Sequence, residues 1–151
     1  MAVKVKSLYD VDFFEWTAHM AELLRAGRLD ELDIEHLAEE IEDLGNRDRK
    51  AVSSQLGRML MHMIKQKMQP ERDGSSWRAS IVDARREIRL DVKDSPSLGR
   101  YLENHLAEIY TDAVNDAIDE MNLPRSKAAE IPRECPYTLK ELLDEPLREK
   151  Y

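Results

Sequence analysis

The chain has a single cysteine, Cys135. That excludes an internal disulfide framework and any cysteine-rich zinc site. No apolar run approaches the ~20 residues a membrane helix needs. Lys4 and Lys6 near the N-terminus are not followed by a hydrophobic segment, so no signal peptide is expected. Glycine and proline are scarce, five and six in 151 residues, and they sit where helices should end. No segment alternates at period two long enough to read as a strand, and there are no internal repeats or low-complexity stretches. A glycine-rich phosphate loop and a Ser-His-Asp order are both missing, and no cofactor is implied.

What remains is a chain for one domain, 1–151, long enough to bury roughly 70% of its unfolded surface. Hydrophobic content of 42% with 36% charged residues suits a folded protein, expected in the cytoplasm. The formal net charge of -8 argues against nucleic-acid binding by the whole surface, while leaving a local patch open. The charge is unevenly spread. Asp30 to Asp43 holds eight acidic residues and no basic one, whereas Arg47 to Lys67 holds six basic residues and one acid, Asp48.

Helical periodicity accounts for most of the chain. A first helix is predicted from near Asp10 or Asp12 to Gly27, on Phe13, Phe14, Trp16, Met20, Leu23 and Leu24. A second begins after Asp33 as N-cap, with Leu32 and Leu37 as a hydrophobic staple, and closes at Gly45. Its stripe is Ile34, Leu37, Ala38, Ile41 and Leu44. A third, capped by Asn46, runs from Arg47 to Gln69, where Pro70 stops it. Val52, Leu56, Met59, Leu60 and Met63 form its main stripe. Met61, Ile64 and Met68 form a second arc, read as belonging to a central helix or, less favourably, to a dimer interface. The tight turn at Gly45-Asn46 predicts antiparallel packing of the acidic second helix on the basic third.

A fourth helix starts at Ser75 or Ser76 after a surface loop over Glu71–Ser75, with Trp77, Ile81, Ala84, Ile88 and Val92 inward. Ser95-Pro96 opens a fifth, carrying Leu98, Leu102, Leu106, Ile109, Ala113 and Ala117 and ending before Pro124. From 125 to 151 prolines punctuate a tail expected to wrap the surface. Within it Thr138 and Glu141 make a capping box, and Tyr137 with Leu142 a staple, for a short helix over Leu139–Asp144. The expected fold is an all-α, single-domain bundle of about five main helices plus that short one, with residues 1–8 flexible.

Several motifs run in a specific order: Tyr9-x-x-Asp12-Phe13-x-x-Trp16, Leu23-Leu24-Arg25-x-Gly27, Leu37-Ala38-Glu39-Glu40-Ile41-Glu42-x-Leu44-Gly45, His62-x-x-Lys65, Gln69-Pro70-Glu71-Arg72, Ser76-Trp77-Arg78, Ser95-Pro96-Ser97-Leu98 and Cys135-Pro136-Tyr137-Thr138. Their order and spacing resemble the bacterial family named domain of unknown function 29, over nearly the whole chain. One departure is Gln66, where members of that family typically carry tryptophan. The resemblance implies a helical fold and a bacterial source, and no catalytic residue.

The sharpest chemical hypothesis joins Glu39, Glu40 or Glu42 to His62 around a divalent cation, as in a metal-dependent hydrolase or nuclease with Lys65 or Arg78 on a phosphate. On a helical wheel Glu40 and Glu42 fall on opposite shoulders and Glu39 points outward, so the carboxylates do not converge. No metal ligand is therefore assigned. A second hypothesis is an anion or nucleic-acid surface of Arg78, Arg85 and Arg89, with Trp77 as a stacking face. Against it, Glu71 to Lys93 carries six basic and five acidic residues and is nearly neutral. Cys135 sits between Glu134 and Pro136, where negative charge disfavours a thiolate. His36 is expected outward and exposed, and His105 as a satisfied core histidine. The reading is a non-enzymatic interaction or regulatory module, with a protein partner or self-association, no membrane, and little case for nucleic acid.

Overall fold

A computed structural model describes residues 6–72 and 74–147; Met1–Val5 of the expected flexible start, Asp73 of the expected loop, and residues 148–151 lie outside the described residues. Among the described residues every regular element is helical, so the chain is all-α. Its contacts form two compact units, Met1–Arg47 and Asp48–Tyr151.

In the N-terminal unit, α1 (Leu8–Val11) opens with a capping box. Ser7 Oγ accepts from the Asp10 amide, and the Asp10 carboxylate accepts from the Ser7 amide at 3.2 Å. Asp12 ends α1 and caps α2 (Phe13–Arg25), accepting from the Glu15 amide at 3.0 Å. Trp16, Met20 and Leu23, at i, i+4 and i+7, are the buried face of α2, with Tyr9, Leu32 and Leu37 packed against them. Gly27 takes φ +69, the left-handed conformation that ends a helix cheaply only at glycine. A 3-10 turn over Leu29–Glu31 then leads to α3 (Ile34–Met68).

That last element corrects the sequence reading. Two helices with a tight turn at Gly45-Asn46 are in fact one helix of 35 residues, and no antiparallel pair exists between its halves. A lone glycine in a helix interior costs only about 1 kcal/mol relative to alanine. Breaking there would orphan four carbonyls and four amides, which the continuous helix satisfies. No proline occurs before Pro70, where the helix does stop.

In the C-terminal unit the second half of α3 packs with α4 (Ser75–Asp94) and α5 (Ser97–Met121). Val52, Leu56, Met59, Leu60 and Ile64 of α3 are buried with Ile81, Ala84 and Ile88 of α4 and six residues of α5. Met61 and Met68, of the second arc of α3, are partly buried and packed on the same core. Gly74, not Ser75 or Ser76, caps α4, and α5 opens at Ser97 with Pro96 as its cap residue. Asn122, left-handed at φ 50, closes α5.

The tail contributes more than a wrapping. It holds α6 (Arg125–Ala128) and α7 (Leu139–Asp144), and Ile131, Leu139, Leu142 and Leu143 are buried in the core. The predicted capping box is present: Thr138 N–H donates to Glu141 at 2.8 Å, and Glu141 N–H to Thr138 at 3.2 Å. Burial of four such side chains stabilises by on the order of 6 kcal/mol or more before ordering entropy is set against it. Two polar ties fix the tail further. Tyr110 Oη donates to the Pro132 carbonyl at 2.7 Å, and Arg85 Nε to the Leu143 carbonyl at 2.9 Å.

Candidate functional site

The N-terminal unit gathers its aromatic and acidic residues into one cluster. Asp33, ahead of α3, accepts from the Trp16 indole N–H at 3.1 Å and faces His36 Nδ1 at 2.6 Å. The backbone amide of His36 also donates to this carboxylate, which makes Asp33 the N-cap the sequence predicts. Tyr9 lies flat on the His36 ring, centroids 3.9 Å apart and planes 12° apart, and its hydroxyl donates to Glu40 at 2.6 Å. Trp16 meets the Tyr9 ring edge-on at 4.9 Å, and Phe13 stacks beside Trp16 at 5.7 Å.

These contacts shift protonation in a consistent direction. The hydrogen bond from His36 holds the Asp33 carboxyl below its usual range, and the same bond raises the His36 imidazolium above its own. Donation to Glu40 pushes the Tyr9 phenol up to about 12. His36 is therefore a half-buried, stacked and ion-paired group, not the outward, solvated side chain expected from the wheel. The wheel placed it correctly on α3, but α1 and α2 fold over that side of the helix. The signal available in the sequence was the Asp33–His36 spacing of three at a helix start.

Beside this cluster α3 presents an uncovered apolar face. Ile34, Ile41 and Leu44 are 67%, 65% and 58% exposed, and Ala38 and Gly45 are exposed between them. The sequence reading takes these as the buried stripe of a helix, but only Leu37 of that stripe packs inward. Phe14, at 85% exposed, shows that α2 too keeps apolar surface in solvent.

The remaining candidates fall in the C-terminal unit. Glu42 and His62 are twenty residues apart on the one helix α3. Among the described residues no three His, Cys, Asp or Glu side chains converge as metal ligands. Lys65 is 8% exposed and ion-paired with Glu120 of α5. Burial, with Lys65 and Arg58 nearby, lowers the pKa of His62. Its Nδ1 is buried without a hydrogen-bond partner among the described residues. Nearby, Ser53, Ser54, Gly57, Arg58 and Met61 of α3 face Ile109, Asp112, Ala113, Asp116 and Glu120 of α5 across an open groove of about 450 Å³.

On α4, Arg85 spends its guanidinium on the carbonyls of Leu143 and Glu145, at 2.9 and 2.5 Å. Trp77 is half-buried, while Arg78 and Arg89 are exposed. Arg85 thereby fastens the tail to α4. Cys135 is half-buried, donates to the Tyr137 carbonyl at 3.4 Å, and has its thiol pKa raised by burial.

A model of the family described as Domain of unknown function DUF29 matches residues 8–147. The chain belongs to the DUF29 family. No curated protein and no solved structure matches it. The motifs that carry the DUF29 resemblance have distinct places in the fold. Tyr9, Phe13 and Trp16 build the aromatic cluster, and Glu40 receives the Tyr9 hydroxyl. Ile41 and Leu44 lie on the uncovered face. Lys65 makes the ion pair to α5, and Cys135 with Thr138 sets the start of α7. Among the described residues no DUF29 helix is long and apolar enough to cross a membrane.

Proposed function

We propose that this DUF29 chain is a non-enzymatic interaction module whose contact surface is the apolar face of α3 between Ile34 and Gly45. The observation that carries the reading is the exposure of Ile34, Ile41 and Leu44 together on one helix side. By the 100° turn per residue these side chains, with Leu37, Ala38 and Gly45, span about 120° of the helix. Scattered exposed apolar residues need no explanation, but a contiguous helical stripe of them is a mark of a partner surface. Support also comes from the cluster beneath. Tyr9, Trp16, Asp33 and His36 fix α1 and α2 on the neighbouring side of α3, which makes the face rigid before any partner arrives.

The test is site-specific photo-crosslinking in the native cell from position 41, with position 103, an exposed residue of α5, as control. A discrete adduct from position 41 that is missing from position 103 is the expected result. Equal, diffuse labelling from both positions defeats the reading.

A further inference from the structure

We infer that the partner of the α3 face is a basic amphipathic helix of another protein, and not a second copy of this chain. This rests on the interaction reading above and adds the chemistry of what binds.

Shape comes first. Ile34, Ala38, Ile41 and Gly45 are spaced i, i+4, i+7 and i+11, the repeat of a helix-packing ridge. Large and small side chains alternate along it, and Leu37 and Leu44 flank it on one side. A side chain added at Gly45 would meet nothing within 4 Å, so the hollow there is open to an incoming side chain. A seam of this period accepts an α-helix, whose own ridges repeat at the same interval, and not an extended strand.

Charge then selects the occupant. Residues 1–47 carry twelve acidic and five basic side chains, a net -7 out of the chain's -8. Glu35 and Glu42 are exposed on one flank of the seam, with Glu39 and Asp43 exposed further round the helix, and none has an ion-pair partner among the described residues. Two copies meeting through this face would set -7 against -7. Like-charge juxtaposition of that kind suppresses association, whereas a partner with lysines or arginines flanking its apolar ridge is drawn in. The basic half of α3 offers no seam of its own to a second copy, because Val52, Leu56 and Met59 there are fully buried within the C-terminal unit.

The experiment titrates the full chain with two designed helical peptides of about 18 residues, long enough to hold helix when bound. Both carry the same leucine–alanine seam; one has lysine at the flanking positions and the other glutamate. A third peptide keeps the lysine composition but scatters the leucines. The lysine peptide is expected to bind, more weakly as salt rises, and the other two to bind at least tenfold more weakly. Ile41→Asn should weaken the lysine peptide by about tenfold or more, with an unchanged melting temperature because the residue lies in solvent.

Equal binding of the glutamate peptide, or a doubled solution mass that Ile41→Asn abolishes, overturns the basic partner while leaving an interaction face. Binding of the scattered peptide, or binding indifferent to Ile41→Asn, shows mere charge attraction and overturns the site. No binding by any peptide, with no adduct from position 41, removes the interaction reading itself.

Discussion

At Asp33 one carboxylate serves the Trp16 indole, the His36 ring and the His36 amide. The pH behaviour of the N-terminal unit follows from that sharing. His36 has a folded pKa above its unfolded one, so its contribution to stability is complete below the unfolded histidine value of about 6.5 and is lost as pH rises through the folded value. Asp33 is lowered, so its contribution is present above the unfolded value of about 3.9 and lost as pH falls through the folded one. Both are in place only in the mildly acidic window between them. We expect the Trp16 indole N–H resonance to follow an ionisation above the ordinary histidine range, since Asp33 links the two rings. Asp33→Asn should return His36 to that ordinary range. An unchanged His36 titration in the variant would show that the bond does not set the shift.

Among elements, α3 separates what periodicity can reveal from what it cannot. Caps were legible, because each is a local hydrogen bond between near neighbours: Asp33 at the start of α3, and Thr138 with Glu141 at α7. The stripe Val52, Leu56, Met59 and Leu60 was legible because apolar spacing records a buried side. Gly45 was misread because a glycine reports only a cost of about 1 kcal/mol, and the outcome depends on whether the flanks gain more by continuing. Ile34, Ile41 and Leu44 were misread for a related reason: spacing shows that a face is apolar, not whether this chain or another covers it. The cluster of Tyr9, Trp16, Asp33 and His36 was hidden because α1 folds back over α3, a long-range contact with no local signature. Substitution at Gly45 decides between the two helical readings by sign. In a continuous helix Gly45→Ala meets no neighbour and should stabilise by about 1 kcal/mol, while Gly45→Pro should cost about 3 kcal/mol. A left-handed closing glycine would reverse the alanine result. Urea unfolding followed by circular dichroism reads both variants.

For the whole molecule, charge and core are distributed in opposite senses. The N-terminal unit bears nearly all of the net charge, and among the described residues it buries three apolar side chains in its core, Trp16, Met20 and Leu23. The C-terminal unit is close to neutral and, among the described residues, buries eighteen in one cluster, including four from the tail. Apolar burial is the main favourable contribution to folding, and concentrated like charge opposes it, so the two units should differ in stability by several kcal/mol. Unfolding is then expected in two steps, with the Trp16 indole and Leu23 amide exposed at lower urea than the amides of Leu60 and Leu102. Added salt should raise the first midpoint more than the second, because it screens repulsion that only the N-terminal unit carries in quantity. A basic helix on the α3 face should raise the first midpoint as well, through both neutralised charge and covered apolar surface. Residue-resolved hydrogen exchange under rising urea measures this directly. A single coincident transition across Trp16, Leu60 and Leu102 would mean that α3, as one continuous helix, couples the two cores more strongly than their unequal charge and burial divide them.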